Sequence, residues 1–298
     1  MGERRLFCEW GPAAYWLSTQ RCRLQRRLSD AVKRTAFAEE KGGLLPVCVY
    51  RHSSLICRTL GDVDARLQKN KETNLRLAVP HIDGVLLRPG QTFSFWKLVG
   101  ACTRKKGYLE GLVIRGGKPD RDVGGGMCQF TNLLHWMVLH TPLTVTEYHH
   151  HDGVDLFPDF GRKVPFGVGT SILYNYLDYR VFNGTDQAFQ FHVWIEDGYL
   201  CGQVRCERPL PVKYHIALQD ECFVREKDGV YRCNTILRRC VDKRTGQTLS
   251  CQVLKKNHAK VLYEIDLSGS GGEPDRRPGR LSSESGPGAT GKESEGSR

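Results

Sequence analysis

A run of three consecutive glycines at residues 124–126 is the feature that most constrains this chain. Glycine has no Cβ, so the triplet lets the backbone turn sharply and lets another segment approach it closely. The apolar segment 130–139 follows without further Gly or Pro, and its length and composition predict a buried helix that starts near Met127. Cys128 then lies in the first helical turn, where open N–H groups and the helix dipole favour a thiolate.

Charge is concentrated at one end of the chain. The 298 residues carry a net charge of +11, which suits an anionic partner, and 40% of them are hydrophobic, which is enough for a sizeable core. Much of the positive charge falls in the first forty residues, where eight Arg and Lys side chains crowd together. An excess at one end is not typical of a binding groove for a polyanion, so we expect no nucleic-acid partner.

The chain contains no uninterrupted apolar run long enough to span a bilayer, and its first residues do not form a signal peptide. We therefore expect a cytoplasmic location, which also allows peripheral contact with a membrane surface. The twelve cysteines are then expected to be reduced thiols.

The basic N-terminal segment has a helical composition over residues 13–40. We expect a solvated helix docked on the domain, with its apolar side chains available for packing. These side chains are Leu17, Leu24, Leu28 and Val32. Transient contact of this helix with an anionic membrane surface is the alternative.

Composition divides the chain into three parts. Residues 1–43 form a basic helical segment, residues 44–267 form an α+β domain, and residues 268–298 are rich in Gly, Ser, Pro, Glu and Arg and predict a disordered tail. Within the domain we expect a central buried helix carrying Cys128 and a mainly antiparallel sheet.

Local signals predict several further elements. A helix capped by Thr73 or Asn74, a hairpin-like turn at Pro89-Gly90 and a strand over residues 169–176 are expected. Three dipeptides typical of two-residue hairpins follow in the second half, at Asn183-Gly184, Asp197-Gly198 and Asp228-Gly229.

Cys128 is the strongest candidate for chemistry. A cysteine nucleophile needs a nearby base and donors for a developing oxyanion. Histidines 149–151 follow on the next element, and the donors would be the amides of residues 126–128 and the Gln129 side chain. On a helix, Cys128 shares its face with the polar residues Thr131, Asn132 and His135.

Two other interpretations of Cys128 remain open at this point. It is equally explained as a small, inert residue in a close-packed helix. A zinc site formed with two of the histidines is less well supported because CxxC and HxxxH spacings are missing. We therefore predict no metal and no cofactor.

Several motifs occur in order along the chain. They are Asn74-Leu75-Arg76-Leu77-Ala78, then the segment 88–96 with sequence RPGQTFSFW, then GGGMCQ at 124–129, HTPLT at 140–144 and YLDYRVFNGT at 176–185. Together they resemble the VanW family of vancomycin resistance-associated proteins over roughly residues 15–267.

The resemblance implies a link to glycopeptide resistance and places the family motif on this sequence. The glycine-cysteine-glutamine motif falls on Gly124, Gly125, Gly126, Cys128 and Gln129, the following histidine on His151 and the strand aspartate on Asp178. We predict a cysteine-dependent acyl transferase or hydrolase acting on a cell-wall peptide or precursor. In it Cys128 attacks, His151 is the base, and Asp178 orients His151, with Asp152 and Asp155 as the alternatives nearer in sequence. The predicted binding residues are Gly124, Gly125, Gly126, Gln129, Asn132 and His149.

The sequence departs from the family pattern at two positions. Tyr148 replaces an arginine three residues before the histidine, and Gly169 replaces an aspartate of the following segment. These departures keep the alternative open that the protein is a non-catalytic module that binds a peptidoglycan-related ligand or a partner protein.

Overall fold

The computed structural model describes residues 6–57, 65–115, 118–150, 153–156, 158, 163–174 and 176–265. Its four α-helices are α1 (Pro12–Val32), α2 (Ala65–Ile82), α3 (Phe95–Val99) and α4 (Met127–Val138). The first strands are β1 (Val47–Leu55), β2 (Val85–Leu87), β3 (Thr92–Ser94), β4 (Glu110–Arg115), β5 (Lys118–Val123), β6 (Thr144–Glu147) and β7 (Val154–Asp155). The remaining strands are β8 (Arg180–Phe182), β9 (Phe189–Glu196), β10 (Tyr199–Cys206), β11 (Val212–Glu226), β12 (Gly229–Asp242) and β13 (Thr248–Val261).

The strands form four sheets that are antiparallel apart from one short parallel pair. Their orders are β1-β10-β9-β2, β11-β12-β13-β7, β3-β8-β6 and β4-β5. The parallel pair joins β7 to β13. This mixture of helices and antiparallel sheets agrees with the predicted α+β class.

The main core lies where α2 and α4 meet the sheet β1-β10-β9-β2. Side chains from both helices and from the sheet are fully buried together there, among them Leu75, Phe130, Leu134, Phe191 and Leu200. A smaller apolar cluster joins the far end of α4 to the long strands through Trp136 and Ile236. Helix α4 is therefore packed on two sides, which fixes the position of its first turn.

Several local predictions are wrong. Helix α2 passes through residue 74 instead of starting there, and it contains Pro80. The turn at Pro89-Gly90 forms, with a φ of 77° at the glycine, but its flanking strands β2 and β3 join different sheets. In the described part of the predicted strand, residues 169–174 and 176, Ser171 and Leu173 make isolated bridges instead of strand pairs.

The hairpins follow two of the three predicted dipeptides. Asp197-Gly198 joins β9 to β10, and Asp228-Gly229 joins β11 to β12. After Asn183-Gly184 no hairpin forms, because β8 pairs with β3 and β6 instead of with β9.

Helix α1 does not pack in the way the sequence predicts. Leu17, Leu24, Leu28 and Val32 are 53%, 58%, 56% and 83% exposed, so they face away from the protein. Polar contacts hold the helix instead. No helix in the described part of the chain is both long and apolar enough to cross a bilayer. The predicted tail at residues 268–298 lies outside the described residues.

Candidate functional site

The glycine turn is shaped by close contact with the hairpin β4-β5. Gly124 and Gly126 have φ values of 83° and 108°, in the region that favours glycine. Between them, Gly125 lies against the backbone of Gly111 on β4, so a Cβ at residue 125 would overlap the Gly111 carbonyl group. The glycines are therefore required by backbone conformation and by the close approach of two chain segments.

Asn74 of α2 holds this turn in place, and the sequence analysis missed that role. Its side chain is fully buried. Its Nδ2 atom donates to the carbonyl oxygens of Leu109, at 3.0 Å, and Gly125, at 2.9 Å, and its Oδ1 accepts from the Leu109 N–H at 2.8 Å. A polar side chain among the apolar positions of α2 is the signal that could have revealed it.

Cys128 lies in the first turn of α4, beside the open N–H groups that every helix leaves at its start. Burial raises the pKa of its thiol, and the nearby backbone N–H of Ile172 offsets only part of this effect. Burial therefore favours the neutral thiol at Cys128, against the thiolate that a helix start favours. A base must remove the proton before this sulfur can act as a nucleophile.

A cavity of about 560 Å³ lies beside Cys128. Gly124, Gly126, Gln129 and Asn132 also line it, as does Cys102. Its other walls combine apolar and charged side chains, including Arg23, Lys71, Trp96, Leu112, Asp122, Ile172 and Tyr174. The volume is in the range of ordinary ligand pockets.

Two predicted binding residues make structural hydrogen bonds. The Gln129 Nε2 atom donates to Ser54 Oγ, at 2.9 Å, and to the Leu55 carbonyl oxygen, at 2.8 Å. Both amide hydrogens are thus directed to β1, so the predicted donation to an oxyanion does not fit this geometry. Asn132 Oδ1 accepts from the N–H of Thr170, at 2.6 Å, and from its hydroxyl, at 2.9 Å.

The histidines point in different directions. His149 Nε2 lies 3.0 Å from Glu147 Oε1, in a network of charged residues under α1. His150 lies near α4. A Cβ placed on Gly169 would be 3.9 Å from His150 Nε2 and 3.7 Å from Asn132 Oδ1, so His150 and Asn132 of α4 both approach residue 169. His151 lies outside the described residues, so its role as a base stays a prediction.

His135 is a buried histidine on the same face of α4 as Cys128. Its Nδ1 atom is 3.3 Å from the Tyr179 hydroxyl, and its ring stacks on Tyr148 with centroids 5.2 Å apart. Burial, with smaller effects of the charges at His150 and Lys255, lowers its pKa to about 3. The imidazole is therefore neutral at physiological pH.

Asp178 is fully buried and is held by donors from several elements. Its carboxylate accepts from Ser94 Oγ at 2.5 Å, from the Trp96 N–H at 3.0 Å, from its neighbour Tyr179 N–H at 2.8 Å and from Arg180 Nε at 3.0 Å. These contacts tie β8 to the start of α3. They are consistent with a structural role, and the predicted orientation of His151 by Asp178 stays a prediction.

The charges around Asp178 continue to α1. Arg180 pairs with Asp30 at 2.5 Å, and Arg26 donates to both oxygens of Glu147 at 2.6 Å. The Asp178 N–H also donates to Glu147, at 2.9 Å. Within the described ranges, no three His, Cys, Asp or Glu side chains come together as a metal site.

The matches to known proteins cover the elements that build this site. The family described as VanW like protein matches residues 70–205, from α2 to the end of β10. The chain is 37% identical over 205 residues to the vancomycin B-type resistance protein VanW of Enterococcus faecalis, covering 69% of this chain and 74% of that protein. The chain belongs to the VanW family.

A second match is partial. The uncharacterized protein YoaR of Bacillus subtilis is 30% identical over 122 residues, which cover 40% of this chain and 37% of YoaR. No solved structure matches the chain significantly. The stretch that matches the VanW family contains the glycine turn, Cys128 and Asp178, whereas α1 and the strands β11–β13 lie outside it.

Proposed function

We propose that this VanW-family chain contributes to vancomycin resistance by binding a cell-wall peptide or its precursor in the cavity beside Cys128. The observation that carries the proposal is the position of the family motif. The glycine turn and the first turn of α4 form one wall of a cavity of about 560 Å³. The proposed link to vancomycin resistance rests on the name of the Enterococcus faecalis relative.

The cavity lining suits a peptide ligand. Trp96, Leu112 and Ile172 offer apolar surface for short side chains. Arg23 stands at the wall with its guanidinium 4.8 Å from the centre of the Tyr174 ring, where it supplies positive charge for a carboxylate. A cavity with apolar walls and a few charged groups is typical of sites that bind small ligands.

Cysteine-dependent acyl transfer is the second candidate function. The observation that favours it is the Cys128 sulfur at a helix start, with the Ile172 N–H directed at it. In this reaction the sulfur forms a bond to a peptide carbonyl carbon and the amide C–N bond breaks. The base, assigned here to His151, carries the thiol proton to the leaving amine, and water or an acceptor amine then releases the acyl group.

Resistance measurements separate the two functions. Vancomycin susceptibility would be compared in strains expressing equal amounts of the wild type, C128A, L112W and the control L249W, which alters an exposed leucine of β13. Binding predicts that L112W, which fills the cavity, lowers resistance while C128A and L249W preserve it. Catalysis predicts loss with both C128A and L112W. Unchanged resistance in C128A and L112W would refute both.

Thiol labelling tests the resting state of Cys128. Because burial raises its pKa, iodoacetamide should label Cys128 at least about tenfold more slowly than the exposed Cys22 and Cys251 between pH 7 and 9. Mass spectrometry of the alkylated peptides measures each rate. Faster labelling of Cys128 would establish an activated thiolate and strengthen the catalytic candidate.

A further inference from the structure

Helix α1 is attached to the rest of the protein through its polar side. Arg26 binds both oxygens of Glu147 at 2.6 Å, Asp30 pairs with Arg180 at 2.5 Å, and Arg23 Nε donates to the Tyr174 carbonyl oxygen at 3.3 Å. Arg23, Arg26 and Asp30 are separated by three and four positions, so they lie on one face of the helix. That face is turned inward.

The opposite face of α1 carries an exposed apolar stripe, formed by Leu17, Leu24, Leu28 and Val32. These residues repeat at intervals of seven and four positions, which keeps them on one side of a helix. Each is more than half exposed, and α1 has no buried residue. An amphipathic helix normally turns its apolar face to the core, whereas the described part of this chain leaves the stripe open to a partner.

Aromatic side chains extend the exposed apolar surface at the N-terminal end of α1. Trp10 is 70% exposed and Trp16 is 62% exposed. Tryptophan is enriched where proteins meet the boundary between lipid headgroups and acyl chains, because its ring is both apolar and polar. Two exposed tryptophans near one end of the helix are therefore typical of an element that meets a lipid interface.

Positive charge surrounds the stripe. Residues 12–34 contain six basic residues and one acidic residue, Asp30, which is turned inward. The basic residues that remain at the outer surface are all exposed. They are Arg21, Arg27, Lys33 and Arg34. Each basic residue near an anionic bilayer adds to the attraction, whereas the same charges on a second copy of this chain would repel.

From this combination we infer that α1 is a docking surface for an anionic lipid bilayer, on which the helix lies in the interface plane with Leu17, Leu24, Leu28 and Val32 inserted. Docking of α1 does not depend on the chemistry at Cys128. It has a spatial consequence for the site, because Arg23 lies on the inner face of α1 and lines the Cys128 cavity. Docking places that cavity about one helix diameter, roughly 10 Å, from the lipid surface.

Vesicle sedimentation with the purified full chain tests the inference. The wild type should bind vesicles of phosphatidylglycerol and phosphatidylcholine and should lose at least about tenfold in binding when salt is raised or when phosphatidylglycerol is omitted. The triple variant L17S/L24S/L28S should lose binding by a similar factor. A charge variant, R21Q/R27Q, should weaken binding to anionic vesicles while the protein keeps its fold.

The matched control replaces exposed apolar residues elsewhere. L249S/V253S changes two side chains of β13 that are 57% and 51% exposed, and it should bind vesicles as the wild type does. Circular dichroism confirms that each variant is folded. Absence of wild-type binding to anionic vesicles would overturn the inference. Dimerisation abolished by L17S/L24S/L28S, without vesicle binding, would overturn it in favour of a second copy of the chain.

Discussion

At the scale of single residues, His135 makes the stability of the protein depend on pH. Its pKa is about 3 in the folded protein, whereas the ordinary value is 6.5. As the pH falls from 6.5 towards 3, the unfolded chain takes up the proton first, so the free energy of unfolding decreases by up to about 1.4 kcal/mol per pH unit. Above pH 6.5 both states are neutral at this residue and the dependence disappears.

Urea unfolding of the wild type and His135→Gln at pH 7 and pH 5 measures this dependence. The glutamine variant should lose less stability than the wild type between the two pH values. Equal losses in the wild type and His135→Gln would show that this histidine is protonated in the folded protein.

The residues of the site differ in how far the sequence could reveal them. The glycine triplet and Cys128 stand in one continuous motif, so their proximity follows from the chain itself. The raised pKa of Cys128 does not, because it depends on burial of the sulfur by segments that are distant in sequence. The hydrogen bonds from Gln129 to β1 likewise join segments that are distant in sequence.

At the scale of secondary-structure elements, one side chain of α2 holds the glycine turn. Asn74→Ala removes three hydrogen bonds of a buried side chain and leaves the Leu109 and Gly125 groups without that partner. We expect a loss of about 2–4 kcal/mol in the free energy of unfolding. Urea denaturation measures this loss.

Asn70 provides the matched control for Asn74. It lies one turn earlier on α2 and donates to the Glu110 carbonyl oxygen at 2.8 Å, but this contact is exposed. Asn70→Ala should cost less than about 1 kcal/mol, because water replaces the lost partner. Similar losses in the two variants would contradict the assigned role of Asn74.

Elements whose partners are near in sequence were predictable, and the others were not. The Asp197-Gly198 hairpin joins adjacent strands, so the turn residues suffice to predict it. At Pro89-Gly90 the turn chemistry is right, but β2 pairs with β9 and β3 with β8. A turn dipeptide carries no information about such distant partners.

At the scale of the whole molecule, Glu147 connects α1 to the sheet β3-β8-β6. Burial opposes ionisation of Glu147, but its hydrogen bonds with Arg26 and His149 lower its pKa, so it is a carboxylate at neutral pH. Glu147→Gln weakens the charged contact with Arg26. We expect amide hydrogen exchange across α1 to become about tenfold faster, since hydrogen bonds to charged groups contribute more than neutral ones.

Hydrogen exchange followed by mass spectrometry measures this effect peptide by peptide. Glu72→Gln is the control, because Glu72 pairs with Arg76 at 2.7 Å on exposed α2 surface and takes no part in the ion pairs that hold α1. It should leave exchange in α1 unchanged. Unaltered exchange in Glu147→Gln would show that other contacts hold the helix.

The pairing of β1 with β10 also constrains the order in which the molecule is completed during synthesis. Val47 pairs with Cys206, so β1 leaves the ribosome long before its partner strand exists. Helix α4 packs on both strands, so its apolar side remains partly uncovered until β10 has emerged. Closure of the core therefore depends on contacts between distant parts of the chain, which is typical of slow folding and favours assistance by chaperones while translation continues.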